Sequence, residues 1–200
     1  MEIYPVKPEI RIIGFDDAPF DFNDKETMII GTVFRGGSWM DGMITGKVKV
    51  DGTDSTEKIS EAINNSSHKK QLRVIMLDGV TFGGFNIVDL EKLNKYTELP
   101  VIAVVRDKPD FDSIKKALRK FDDYEKRWRL IEKAGRVKPL AVKDPKTGKL
   151  KSIWFQTCGI DDETSREIIR VSSTRSFMPE PLRVAHLIGQ GLRGVGDARE

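Results

Sequence analysis

Two short apolar runs of the sequence end in aspartate, and these acids are the residues best placed to do chemistry. The run IRIIGF ends at Asp16 and Asp17, and the later run RVIML ends at Asp78. If the two runs form neighbouring parallel strands, ~4.8 Å apart, their acids leave the sheet at the same carboxyl edge, where open α/β sheets bind ligands. Carboxylates that close repel each other, and a hard cation such as Mg²⁺ relieves the repulsion. The alternative is that these acids only cap loops and helices.

A third acid of such a site is predicted after the third strand. In the segment Asp51-Gly-Thr-Asp54, Asp54 directly precedes a predicted helix, where a carboxylate either caps the first amides or turns towards a metal. Capping is the simpler interpretation. Asp17, next to Asp16, is a candidate supporting or alternate ligand.

The composition excludes several other kinds of site. Among 200 residues there are one cysteine and two histidines, too few for a disulfide framework, a Cys-rich metal site or His-dominated catalysis. No apolar stretch reaches the ~18 residues of a membrane span, and the first ten residues lack the features of a signal peptide. We therefore expect a cytoplasmic protein with no membrane partner, whose chemistry depends on carboxylates.

The net charge of +3 hides a strong asymmetry. Between Lys115 and Lys151 there are 14 Lys and Arg against five Asp and Glu, so this region carries +9 and the remainder −6. A basic region of this kind favours a polyanion such as nucleic acid as partner, although many charge runs are only solvated helix faces.

The hydrophobic pattern predicts a mixed α/β protein that forms one domain over residues 1–200. Three hairpin-linked strands come first, followed by helices alternating with two strands parallel to the first, then a hairpin and two helices. The predicted strands are 9–15, 27–34, 42–50, 73–77 and 100–105, with a hairpin around the turn 144–148. The predicted helices are 55–64 with Ser55 as N-cap, 86–96, 111–134 stopped by Gly135, 162–173 and 179–191.

Three segments of the chain resemble a known family. GFDDAPF at 14–20, TFGGFN at 81–86 after Leu77-Asp78-Gly79, and LRVAH at 182–186 occur in that order. Together they resemble endonuclease V and, more closely, an uncharacterised, mainly archaeal family related to it. The resemblance covers the chain from about Ile12 to Leu187.

The resemblance implies a ribonuclease H-like fold with a five-stranded mixed sheet, an extra C-terminal hairpin and flanking helices. It also implies that Asp16 and Asp78 hold Mg²⁺ or Mn²⁺, which activates water for attack on a phosphodiester. Three departures stand against full equivalence with endonuclease V. The segment 50–56 replaces its glutamate and strand-separating wedge, Arg106 replaces a lysine, and Ile160 replaces a histidine. Arginine can bind a phosphate but cannot exchange a proton.

Three functions follow from these patterns. The first is a metal-dependent nuclease acting on DNA or RNA, with Asp16, Asp78 and Asp54 as ligands and Arg106 on a phosphate. The second is a nucleic-acid-binding module that keeps the fold without turnover, and the third is a metal-stabilised interaction domain. The predicted nucleic-acid contacts are basic or aromatic residues that we expect to be exposed, namely Trp39, Lys115, Lys116 and Arg119.

Overall fold

A seven-stranded mixed sheet forms the centre of the computed structural model, which describes residues 5–21 and 23–196. The predicted domain of residues 1–200 therefore includes nine positions, 1–4, 22 and 197–200, that lie outside the described residues. The strand order is β3-β2-β1-β4-β7-β9-β8, and a separate two-stranded ribbon pairs β5 with β6. The strands are β1 (Arg11–Asp17), β2 (Glu26–Arg35), β3 (Trp39–Lys49), β4 (Val74–Asp78), β5 (Thr81–Phe82), β6 (Asn86–Ile87), β7 (Val101–Val105), β8 (Lys138–Lys143) and β9 (Leu150–Cys158).

Helices cover both faces of this sheet. Helices α1 and α2 pack on one face through Ile59, Ile63 and Leu93, and α5 and α6 pack on the other through Ile168 and Leu182. A smaller apolar cluster joins α3 and α4 to Ile87. The helices are α1 (Ser55–Asn64), α2 (Leu90–Thr97), α3 (Phe111–Leu118), α4 (Tyr124–Lys133), α5 (Asp162–Ser172) and α6 (Glu180–Gly196).

The predicted fold class and the parallel pairing are confirmed. Strand β1 is antiparallel to β2 and parallel to β4, and β4 is parallel to β7. The predicted C-terminal hairpin exists as β8 and β9, but it extends the main sheet because β9 pairs antiparallel with β7. The sheet therefore has seven strands where five and a separate hairpin were predicted.

Strand directions place many loops at one edge of the sheet. Strands β1, β3, β4, β7 and β8 all run the same way, whereas β2 and β9 run against them. The carboxyl edge, as we call it below, is where those five strands end and where β2 and β9 begin. The loops that follow Asp17, Lys49, Asp78 and Val105 are therefore at this edge.

Three local predictions were wrong. Residues 111–134 form two helices, because Phe121, which packs in the apolar cluster of α3 and α4, lies in the turn that separates them. The helix predicted from residue 86 begins at Leu90, since Asn86 pairs with Phe82 in the short ribbon. The residue before α1 is Asp54, so Ser55 is its first helical residue and not its N-cap.

Candidate metal centre

The sheet register brings Asp16 and Asp78 to the same face at the carboxyl edge. Phe15 is paired with Leu77 in the parallel β1–β4 ladder, so the next residues, Asp16 and Asp78, follow side by side. Because side chains alternate between the faces of a strand, Asp16 lies on the face covered by α6. Asp17 points to the other face, and its Oδ2 accepts a 2.8 Å hydrogen bond from the backbone N–H of Gly83.

Helix α6 adds a histidine to these two acids. His186 Nδ1 lies 2.9 Å from Asp16 Oδ2. The helix approaches β1 closely because Gly14 has no side chain, and a Cβ there would lie 2.5 Å from Pro181 Cβ. The Thr32 hydroxyl fixes the start of the same helix by donating a 2.6 Å hydrogen bond to the carbonyl of Pro181.

His186 was missed as a site residue. The sequence places it in a predicted helix with no identifiable partner, because nothing in a helical period reveals which strand the helix will cover. The available signal was the LRVAH segment of the family resemblance, in which the histidine is one of the matching residues.

Asp16, Asp78 and His186, which we call the candidate metal centre or simply the metal centre, have the donor chemistry of a divalent-cation site. One ligand atom from each lies within 4.8 Å of the other two. Two carboxylates and an imidazole suit Mn²⁺ well, and Mg²⁺ accepts the carboxylates while keeping several waters. The residues present therefore fit a cation of the kind that the sequence predicts.

The electrostatics of the centre also favour a bound cation. Burial, together with repulsion from Asp78 and Asp17, raises the pKa of Asp16 to about 7. Burial likewise raises the pKa of Asp78, although the positive charge of Arg106 opposes this shift. Carboxylates that are this costly to ionise gain most from a cation that neutralises them.

Arg106 lies at the end of β7, beside the metal centre. Its side chain is exposed, and its charge acts on Asp78, the acid at the end of the neighbouring strand. An exposed guanidinium next to two acids is well placed to bind a phosphate that approaches the same edge.

Asp54 is not part of the three-residue group. Its Oδ1 accepts hydrogen bonds from Asn86 Nδ2 at 2.6 Å and from the backbone N–H of Lys49 at 3.2 Å. It makes no side-chain hydrogen bond to the amides of α1, so the capping interpretation is wrong. The carboxylate instead ties the end of β3 to the start of β6.

The predicted nucleic-acid contacts lie in two different places. Lys115, Lys116 and Arg119 are exposed on or next to α3, and Lys115 lies over the ring of Trp128 at 4.9 Å. Trp39 is 66% exposed, but it lies where β3 begins, which is the edge opposite the metal centre. Trp39 and the metal centre therefore do not share one surface.

A comparison with known protein families identifies the chain. The model of a family described as endonuclease dU matches residues 8–193. The chain belongs to the endonuclease dU family. A relative in Methanothermobacter thermautotrophicus, a UPF0215 protein, is 50% identical over 196 residues, which cover 97% of this chain and 92% of the relative.

Solved structures place the endonuclease dU family next to endonuclease V in fold. A protein of unknown function from Archaeoglobus fulgidus is 31% identical with a TM-score of 0.79, covering 92% of this chain and 98% of that one. Endonuclease V of Ciona intestinalis, in complex with an inosine-containing DNA, is 16% identical with a TM-score of 0.59, covering 94% and 87% of the two chains. The predicted relationship to endonuclease V and the ribonuclease H-like fold are thus confirmed.

A helix needs both length and apolar character to cross a bilayer. Within the part of the chain that the structure describes, no helix has both the length and the apolar character to cross a bilayer.

Proposed function

We propose that this protein is a divalent-cation-dependent endonuclease that cleaves phosphodiesters of nucleic acid. The observation that carries the proposal is the group of Asp16, Asp78 and His186 within 4.8 Å at the carboxyl edge of a nuclease-like fold. The description of the family makes uracil-containing DNA the first substrate to test, and inosine-containing DNA and RNA follow from the endonuclease V neighbours.

The side chains of the site have different roles in the proposed reaction. Asp16 and Asp78 would hold the cation, and His186 would complete the ligand set by exchanging its hydrogen bond to Asp16 for the cation. When bound, the cation lowers the pKa of a water ligand and neutralises charge that develops on the phosphate. Arg106 contacts the same phosphate and stabilises its negative charge without exchanging a proton.

Two further acids support the site from the other face of the sheet. Asp17 holds the loop after β4 through the N–H of Gly83, so its ligand role is not part of the proposal. Asp51 accepts a 2.8 Å hydrogen bond from the N–H of Phe85 in the same loop. This loop begins directly after Asp78, and its anchoring therefore keeps that ligand in place.

The test combines metal binding with cleavage. Mn²⁺ titration by calorimetry should show a site that Asp78→Asn removes, and the wild-type protein should cut at least one of uracil-DNA, inosine-DNA, single-stranded DNA or RNA in a Mg²⁺- or Mn²⁺-dependent way. Asp78→Asn should abolish cleavage while its circular dichroism stays unchanged. Mn²⁺ binding and nucleic-acid binding without cleavage of any substrate would overturn the proposal in favour of a binding module.

A further inference from the structure

Two groups of lysines lie at the carboxyl edge, one on each side of the metal centre. The β3 patch consists of Lys25, Lys47 and Lys49, where β2 begins and β3 ends. The hairpin patch surrounds the turn between β8 and β9 and consists of Lys143, Lys146, Lys149 and Lys151. All seven lysines are exposed. The sequence predictions assigned no role to the β3 patch, whereas the hairpin patch lies within the basic region 115–151 that they associated with a polyanion.

The register places the β3 patch on the face of the metal centre. Asp16 is paired with Ile30, and Ile30 is paired with Thr45 on β3. Lys47 and Lys49 are two and four residues further along β3, so they share the face of Thr45 and lie closer to the carboxyl edge. They are two strands from Asp16, or roughly 10 Å across the sheet at ~4.8 Å per strand.

The hairpin patch has a matching position on the other side. Asp78 is paired with Val104, and Val104 is paired with Phe155 on β9. Lys151 is four residues before Phe155, on the same face and closer to the carboxyl edge. Lys49 thus lies two strands from Asp16, and Lys151 lies two strands from Asp78. Each lysine is four residues closer to the carboxyl edge than the residue of its own strand that is level with the acid.

The β3 patch is held in place and keeps its charge available. The backbone of Lys49 is fixed on both sides, since its N–H donates to Asp54 and its carbonyl accepts from Asn86 at 2.9 Å. The three lysines and Glu26 line an open recess of about 560 Å³. Within the described residues, the ion pair of this patch joins Lys47 Nζ to a Glu26 carboxylate oxygen 3.9 Å away.

The one acid in the turn of the hairpin patch, Asp144, already has hydrogen-bond partners. Asp144 is buried, and its carboxylate accepts hydrogen bonds from the N–H of Lys146 at 3.1 Å and from the Thr147 hydroxyl at 3.0 Å. Lys151 Nζ lies 3.9 Å from this carboxylate and 4.5 Å from the ring centroid of Phe177. The turn therefore presents a net positive charge on a fixed backbone.

We propose that one nucleic-acid backbone crosses the carboxyl edge and is held by the β3 patch and the hairpin patch on either side of the metal centre. Five strand spacings separate Lys49 from Lys151, roughly 24 Å at ~4.8 Å each, or about seven nucleotides at ~3.4 Å rise. Arg106 lies between the two patches, at the end of β7. The inference rests on the proposed function, because it takes a phosphodiester at the metal centre as its midpoint.

The experiment measures binding of a fluorescein-labelled 20-base-pair DNA duplex containing one deoxyuridine, in Ca²⁺ and over a range of KCl concentrations. Four double variants change the net charge equally. They are Lys47→Glu with Lys49→Glu, Lys149→Glu with Lys151→Glu, Lys116→Glu with Arg119→Glu on the α3 side, and Lys70→Glu with Lys95→Glu. Lys70 and Lys95 are exposed near the starts of β4 and β7, at the edge opposite the metal centre, and serve as the control.

We expect the β3-patch variant and the hairpin-patch variant each to bind at least about 10-fold more weakly than the control variant. Each should also reduce the slope of log affinity against log salt concentration by ~2, one unit per lost phosphate contact. Affinity that falls equally in all four variants would overturn the proposal, as would a loss confined to the α3 pair or a wild-type protein that binds no duplex. Cleavage is scored separately. If no substrate is cut but only the β3-patch and hairpin-patch variants lose affinity, the proposed nuclease activity is wrong and the proposed nucleic-acid path between the two patches is supported.

Discussion

Asn86 donates a 2.6 Å hydrogen bond from Nδ2 to Oδ1 of Asp54. The amide of Asn86 is fully buried, and it also donates to the carbonyl of Lys49 and accepts from the N–H of Ser55 at 2.9 Å. Asp54 therefore belongs to a network that joins β3, α1 and the loop after β4. In this structure, the acid that the sequence predicted as a third ligand is a hydrogen-bond acceptor for Asn86 and Lys49.

The first prediction separates Asp54 from the metal ligands. Asp54→Asn keeps an oxygen that can accept from Asn86, so we expect Mn²⁺ affinity within about 3-fold of wild type. Asp16→Asn and Asp78→Asn each remove a charged ligand and should abolish measurable binding. Isothermal calorimetry on the three variants checks this, with circular dichroism as the folding control. A loss of Mn²⁺ binding in Asp54→Asn comparable with that in Asp78→Asn would return Asp54 to the ligand set.

The second prediction concerns His186. His186→Asn keeps a hydrogen-bond donor near the position of Nδ1, whereas His186→Ala removes the whole imidazole. If His186 is a ligand, both variants should lose at least ~10-fold in Mn²⁺ affinity. Losses of this size are seen in metal sites even when the mutated residue only hydrogen-bonds a ligand. Electron paramagnetic resonance of bound Mn²⁺ gives the affinities. Wild-type affinity in His186→Asn together with a loss in His186→Ala would mean that the histidine only orients Asp16.

The third prediction follows from the pKa of Asp16, which is about 7 in the folded protein against an ordinary value of 3.8. Between these pH values the folded chain holds a proton that the unfolded chain releases, so raising the pH lowers the free energy of unfolding. The effect is a few kcal/mol, at ~1.4 kcal/mol per pKa unit. Asp16→Asn lacks this penalty.

Urea unfolding in EDTA at pH 4.5, 6 and 7.5 measures the effect. The stability of Asp16→Asn relative to wild type should increase over this range. A difference between the two proteins that does not depend on pH contradicts the prediction.

The fourth prediction concerns the contact between β1 and α6. Gly14→Ala places a Cβ against Pro181 and should destabilise the protein by about 1–3 kcal/mol, as overpacking of a core does. It should also weaken Mn²⁺ binding, because the same helix carries His186. Gly191→Ala is the matched control within α6, since its Cβ would have no heavy atom within 4 Å, and it should stabilise the helix by up to ~1 kcal/mol. Equal stability of the two variants would show that the helix can shift at little cost.

The sequence was most informative where local pattern and sheet geometry agree. Asp16 and Asp78 each follow a short buried run, and the pairing of two parallel strands is enough to bring them together. Helix α1 was predicted with its observed bounds, Ser55–Asn64, because its apolar residues follow a helical period and its start is marked by polar residues.

What could not be predicted depends on contacts between distant segments. The hydrogen bond between His186 and Asp16 joins residues 170 positions apart, and the sequence period of α6 does not encode which strand it covers. The break between α3 and α4 depends on tertiary contacts too, since Phe121 in the turn between them packs edge-on against the ring of Phe85. Asn86 likewise has a role only once β3 and the loop after β4 are neighbours.

The candidate metal centre draws its residues from β1, β4 and the last helix of the described chain, which has a consequence for biosynthesis. Translation at ~5–20 residues per second delivers Asp78 roughly 5–20 s, and Asp16 roughly 9–34 s, before His186. A nascent chain thus displays the two acids and the lysines of β3 while the imidazole is still unmade. The proposed hydrolytic site is therefore completed late in translation, and a partly made chain lacks its imidazole.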